Sequence, residues 1–486
     1  MIAKIAFWCV TLLFFFQVWV NQGSLPVIWP DEVLFFSPAY SLATRNIMAT
    51  QVLDGLIPGM ESKTLWMPPN FVLILGSLLK VFPDSLLVGR YFNIFCFFCS
   101  ALIFIKILDF YDFNLKQKLC GFTLIVWEPL LFRFGGAGRM EGLTALFFLF
   151  SLYLAISKRE NKLSIFFTGL FVSMSFLSHP IGGSLGLVSF LFLILNEPKK
   201  IKTTLLFGMG AILPIIFWIV YIHPDWNLFL IQFGSQLTRK RTLFESFTWI
   251  DKVKVFAYGF TFSKLKLSLF ILQLGFMSYL SISDYKKLRK LSSSHVFYWI
   301  WISVVFFSLY TSSEGWYVVH SLFPLTFGFV YLYKKLPIGK YLMLGAISLT
   351  YFGLIYNHYI HWQKYDTVTI QNEQFSKLSN LLKNSKYIYI QSIPDPYFYL
   401  RKKLPNSRLY EFIPGELEIP TLAYQNTIQS MDAFIFYDEN LMNQTIKSHL
   451  SSGKNWKRFH WEIPVGREHW MNFKTTVFIK DTVPKK

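Results

Sequence analysis

Apolar stretches near the length that a bilayer demands recur from residue 3 to residue 360, and this spacing leaves few alternatives to a bundle of membrane helices. The runs fall at roughly 3–20, 68–82, 86–108, 119–134, 140–157, 163–178, 181–196, 203–222, 265–283, 296–311, 316–333 and 341–360. Charged residues make up 15% of the 486 residues, where globular domains carry about a quarter. The 53 Phe, 25 Tyr and 15 Trp supply lipid-facing and headgroup-level surface. These features predict an all-α polytopic membrane domain over residues 1–360. No small-residue cleavage site follows the first run, so it reads as an uncleaved span.

Basic clusters set the expected sidedness. Lys158-Arg159-Glu160-Asn161-Lys162, Lys199-Lys200-Ile201-Lys202, Lys286-Lys287-Leu288-Arg289-Lys290 and Lys334-Lys335 agree in parity and are expected in the cytoplasm. The first loop (21–67), the turn Gly138-Arg139-Met140-Glu141, Ser178-His179-Pro180, the loop 223–262 and everything after 361 then face outward. Between the first loop and Arg139 the number of crossings must be even, whereas three runs lie there. One of 68–82, 86–108 and 119–134 is therefore expected not to cross, which gives about 11 transmembrane helices.

Residues 361–486 are written differently. Tyr387-Ile388-Tyr389-Ile390, Ala433-Phe434-Ile435-Phe436 and Thr476-Val477-Phe478-Ile479 read as strands, and 371–384 and 440–451 as helices. A small extracytoplasmic α/β domain is the expectation. The formal net charge of +19 sits in short clusters between apolar runs rather than along one face, which argues against nucleic acid as a partner. Cys9, Cys96, Cys99 and Cys120 lie in or beside apolar runs, and Cys96-x-x-Cys99 lacks the second ligand pair of a zinc site. There is no Walker motif, Rossmann fingerprint or repeat of 20–50 residues.

The polar residues between the runs keep a particular order. Asp31-Glu32 precede Ala39-Tyr40 in the first loop, Met67-Pro68-Pro69 opens the next run, and Gly89-Arg90-Tyr91-Phe92-Asn93 follows. After these come Arg133-Phe134, Gly138-Arg139-Met140-Glu141-Gly142, Ser178-His179-Pro180 and the segment from Gly315 to Pro324 that contains Tyr317. Over residues 1–360 this order resembles the GT-C class of integral-membrane glycosyltransferases, most of all the bacterial branch that groups the protein O-mannosyltransferases with the lipid A aminoarabinose transferase. The chain departs from that family at Met67, where Lys or His is common, and at Glu141, where Asp is frequent.

The resemblance implies transfer of a sugar from a polyprenyl-phosphate donor to a glycolipid, polysaccharide or protein acceptor, at the outer face of a bacterial inner membrane. Such chemistry needs a base beside the acceptor, donors beside the departing phosphate and a carboxylate near an oxocarbenium-like transition state. Asp31 is the expected base, with Glu32 in reserve because neighbours on an extended chain face opposite ways, and Glu141 is the third candidate acid. Arg90, Arg139 and Arg239 are candidates for the phosphate, as a planar two-pronged donor suits it. Lys63 would stand in for the missing cation at Met67, and His179 and Tyr317 complete the candidate substrate contacts. A helix from Pro38 to about Leu53 is expected to frame the pocket. No dedicated metal cluster is visible and no cofactor is implied with certainty, although Asp31, Glu32 and Glu141 are oxygen ligands that could gather round a divalent ion. Two other functions remain open: a transporter or flippase of a lipid-linked sugar, and a membrane scaffold whose C-terminal domain binds a partner.

Overall fold

The computed structural model describes residues 2–21, 27–83, 86–157, 161–196, 198–312, 314–364, 367–412, 422–452, 455–462 and 474–481. Each apolar run of the sequence forms a helix, though several lengths differ from expectation. The first half contains α1 (Ile2–Asn21), α2 (Pro30–Arg45), α3 (Asn70–Val81), α4 (Leu86–Asp109), α5 (Leu115–Val126), α6 (Glu141–Ser157), α7 (Lys162–Phe176) and α8 (Ile181–Asn196). The second contains α9 (Lys200–Ile222), α10 (Trp226–Ser246), α11 (Trp249–Tyr258), α12 (Ser263–Leu288), α13 (Ser293–Ser312), α14 (Leu322–Lys335) and α15 (Pro337–Lys364). Among the described residues, six helical stretches are long and apolar enough to cross a membrane, and five more are apolar but shorter. The chain is a multi-pass membrane protein. Of the three runs that the parity argument singled out, 86–108 makes a long helix, whereas α3 and α5 have only 12 residues each, about 18 Å of helix.

Two expectations about the loops need correction. The helix framing the first loop begins at Pro30 rather than Pro38. Pro30 occupies the first helical turn, where its missing N–H costs nothing, and Glu32 reaches back to accept from the Trp29 N–H at 3.3 Å. Pro38 sits inside that helix. The segment 223–262 is not an open loop but α10 and α11, the latter started by a reciprocal cap between Thr248 and Asp251. Of the expected cytoplasmic clusters, Lys158-Arg159-Glu160 lies outside the described residues.

Inside the bundle one ion pair ties three helices together. Lys266 Nζ on α12 meets Glu128 Oε1, just past α5, at 2.5 Å, and Thr350 on α15 donates to the other oxygen at 3.0 Å. Both charges are buried, so each depends on the other to offset its dehydration.

Beyond the bundle come α16 (Thr367–Leu381), β1 (Tyr387–Gln391), α17 (Tyr397–Lys403), β2 (Arg408–Glu411), α18 (Leu422–Ser430), β3 (Ala433–Phe436), α19 (Gln444–Ser452), β4 (Trp456–Glu462) and β5 (Lys474–Lys480). The strands form one sheet in the order β2-β1-β3-β5-β4, parallel across β2, β1 and β3 and antiparallel across β5 and β4. β1 and β3 are buried along nearly their whole length, as suits strands covered on both faces. One apolar core runs from this sheet into the first loop, joining Ile388, Ile390 and Phe434 to Val33, Phe36 and Leu56. Phe36 meets Phe398 edge-on at 4.9 Å, and the Arg401 guanidinium lies 3.6 Å over the Tyr40 ring.

Candidate active site

Helical rather than extended backbone separates the two adjacent acids. Successive residues of a helix point about 100° apart, so Asp31 turns outward while Glu32 turns into the protein. Glu32 is fully buried and accepts four hydrogen bonds: Arg90 Nε at 2.9 Å, Arg90 Nη2 at 2.8 Å, the Gly138 N–H at 2.8 Å and the Trp29 N–H at 3.3 Å. No acceptor capacity is left for a substrate proton. Arg90, also fully buried, is likewise committed and stands behind the site rather than in its wall. Glu32, expected in reserve as a base, and Arg90, expected at a phosphate, thus sit together as a buried strut between α2 and α4.

The turn before α6 is shaped by Asn93 on α4. Its Nδ2 donates to the carbonyls of Gly135 and Ala137, both at 2.8 Å, while its Oδ1 accepts the Gly142 N–H at 2.7 Å. A Cβ on Gly142 would run into the Asn93 carbonyl, so only glycine permits this approach. The turn presents Arg139, whose guanidinium bonds Asp31 through Nη1 and Glu141 Oε1 through Nε at 3.0 Å and Nη2 at 2.8 Å. The ring of Trp316 lies 4.5 Å beneath the guanidinium. Glu141 is fully buried. Asp31 is the most open member of this network, with about a third of its side chain exposed.

Asp31 and Arg139 stand in the wall of a cavity of about 400 Å³. Leu34, Phe35, Leu53, Ile57, Trp66 and Met67 are apolar members of its wall, together with Phe233 and Leu237 of α10. His179, Ser184, Ser308, Ser312, Glu314 and Tyr317 are polar members of the wall, and Phe412, the residue after β2, also lines the cavity.

A directed chain of hydrogen bonds runs among the polar residues of the wall. His179 Nδ1 accepts the Ile181 N–H at 3.2 Å, so the ring proton sits on Nε2 and donates to the Tyr317 hydroxyl oxygen at 3.1 Å. The Tyr317 O–H then donates to Glu314. Sequence reasoning found His179 and Tyr317 but missed Glu314, whose signal was its place two residues before Trp316 at a helix break.

Two expected contacts remain, Lys63 and Arg239. Lys63 donates to the Tyr221 carbonyl at 2.8 Å and to Asp225 at 2.6 Å, outside the cavity wall. Arg239 is on α10, but its side chain lies outside the described residues. Asp31, Glu32 and Glu141 do not converge on a metal position, because each carboxylate is turned to an arginine. Among the described residues no group of three or more His, Cys, Asp or Glu is placed to hold a metal ion.

No protein-family profile matches the chain, and no curated protein sequence matches it. Its fold matches a solved structure, ArnT from Cupriavidus metallidurans in the apo state. The TM-score is 0.62 at 10% sequence identity, covering 98% of this chain and 97% of that one. Arabinofuranosyltransferase AftD from Mycobacteria aligns with 99% of this chain and 40% of its own length, at 9% identity and a TM-score of 0.46.

Proposed function

We propose that the chain is a membrane glycosyltransferase that moves a sugar from a polyprenyl-phosphate donor to an acceptor on the extracytoplasmic face, with Asp31 as base. The observation that carries this reading is the placement of Asp31, about a third exposed and held by Arg139, in the wall of a cavity lined by both apolar and polar side chains. A lipid-linked sugar likewise joins an apolar part to a polar one. The fold shared with ArnT and the motif order over residues 1–360, which resembles the GT-C glycosyltransferases, support it.

In this reading the acceptor oxygen attacks the anomeric carbon, the bond from that carbon to the phosphate oxygen breaks, and polyprenyl phosphate leaves with the bonding pair. The acceptor proton passes to Asp31. Arg139 orients Asp31 and offers the positive charge nearest to the departing phosphate. Residues 1–360 form the catalytic membrane domain with about 11 spans, and 361–486 form an extracytoplasmic unit that contributes Phe412 to the cavity wall. The site faces outward from a bacterial inner membrane.

The test is transfer in vitro from a panel of polyprenyl-phosphate sugars to glycolipid, polysaccharide and protein acceptors, with Asp31→Asn as control. Accumulation of a product that Asp31→Asn fails to make supports the reading. If no donor is consumed while a lipid-linked sugar crosses proteoliposome membranes, the chain is a flippase.

A further inference from the structure

Two acids at the carboxyl ends of β1 and β2 have no part in the proposed reaction, yet they stand against the helix that carries Asp31. Asp395 lies four residues past β1 and Glu411 ends β2, where it pairs in register with Ile390. Both are fully buried. The crevice beyond the carboxyl ends of parallel strands is where open α/β sheets receive ligands. Here the start of α2 fills it: the Asp395 N–H donates to the Ile28 carbonyl at 2.9 Å, and the Phe36 and Tyr40 contacts with α17 continue the seam.

The donors near these acids are too few for two carboxylates. Asp395 Oδ1 accepts the Tyr397 N–H at 2.8 Å, and Glu411 Oε1 accepts the Phe412 N–H at 3.4 Å. Asp395 Oδ2 and Glu411 Oε2 are buried and meet no donor among the described residues. The two carboxyl groups nevertheless lie within hydrogen-bonding contact of each other. Two dehydrated carboxylates in contact repel, whereas one proton between them turns one acid into the donor that the other lacks. We infer that Asp395 and Glu411 share one proton and act as positioning residues, the protonated pair seating the start of α2 and so fixing the direction in which Asp31 enters the cavity. The positioning role rests on the proposed role of Asp31; the shared proton does not.

Burial pushes the Asp395 carboxyl up to about 7, and burial together with the charge of Asp395 lifts Glu411 well above the usual carboxylate range. The charged groups facing the pair are Glu32 and Asp31 of α2, each bound in turn to an arginine, Arg90 from α4 and Arg139 from the turn before α6. Loss of the shared proton adds a negative charge beside those two acids. Because the folded value is raised, the contribution of the pair to seating α2 is complete below the ordinary carboxylate range, about pH 4, and is lost as pH rises through about 7.

The test uses the full-length protein in detergent from pH 5.5 to 9, reading backbone hydrogen exchange in residues 27–36 after correction for the chemical exchange rate, with transfer turnover alongside. Protection in this stretch is expected to fall about tenfold or more above pH 7, the change that one unit of pKa difference carries, and turnover is expected to fall with it. Asp395→Asn and Glu411→Gln, which donate a hydrogen bond at every pH, should each remove that fall. Protection that stays flat in the parental protein, or that falls equally in both variants, overturns the shared proton. The parental series decides this even if one variant fails to fold. The expected exchange behaviour without any transfer activity would leave the proton pair standing and remove the proposed role of Asp31.

Discussion

The guanidinium of Arg90 grips both oxygens of Glu32, at 2.9 and 2.8 Å, with neither side chain exposed to solvent. Removing one member of such a pair strands a buried charge, a loss of about 3–5 kcal/mol. Arg90→Ala is therefore expected to be a folding lesion, seen as a large fall in the thermal midpoint of detergent-purified protein. Combining Arg90→Met with Glu32→Leu should restore only part of the loss, because the Gly138 N–H would lose its acceptor. An Arg90→Ala protein with parental stability and reduced turnover would return Arg90 to the substrate side.

Asp31 tests the chemistry itself. Asp31→Asn keeps the size of the side chain but removes its basicity, and a positioned base contributes roughly 10²–10⁴-fold to rate. Turnover should drop by about that factor with the thermal midpoint changed little, since the side chain is partly exposed. Parental turnover in this variant would assign the base elsewhere, with Glu314 the other acid in the cavity wall.

Tyr317→Phe cuts the chain from His179 to Glu314 without changing ring packing. With the Tyr317 hydroxyl gone, Glu314 loses a donor. A loss of turnover of about tenfold is expected, equivalent to the net worth of about one hydrogen bond to a charged group. A change confined to stability would make the chain a packing device.

Sidedness is open to direct chemical test. In a background without the four native cysteines, a cysteine at exposed Lys402 should react with an impermeant maleimide from outside, while one at exposed Leu288 should react only after permeabilisation. The reverse pattern would invert the topology.

Much of this architecture is written in local sequence. The apolar runs specified helices because each is long, and β1, β3 and β5 were legible from their dense β-branched and aromatic residues. β2 was not, since Arg408-Leu409-Tyr410-Glu411 is short and flanked by charge. The start of α2 was misjudged because Pro38 looked like a beginning, although a proline inside a helix is tolerated when tertiary packing holds the helix on both sides. The pairing of Glu32 with Arg90 spans 58 residues, and no local pattern reveals which arginine an acid will meet. The same holds for Lys63, whose partner Asp225 belongs to the turn between α9 and α10. Asp395 and Glu411 escaped notice because their significance arises only when two parallel strands place their ends side by side.

The seat of α2 on the far end of the chain also sets an order of assembly. Ile28 and Asp395, hydrogen-bonded in the finished protein, are made far apart in time, about 20–70 s at ordinary rates of synthesis. During that interval the helix bearing Asp31 is already outside the ribosome but lacks the surface against which it settles. Residues 27–40 therefore wait at the membrane with Phe36 and Tyr40 lacking their partners on α17, and Phe412 joins the cavity wall only when the last hundred residues arrive. A chain interrupted before β2 would hold every acid and arginine of the site and still lack the wall that aims them.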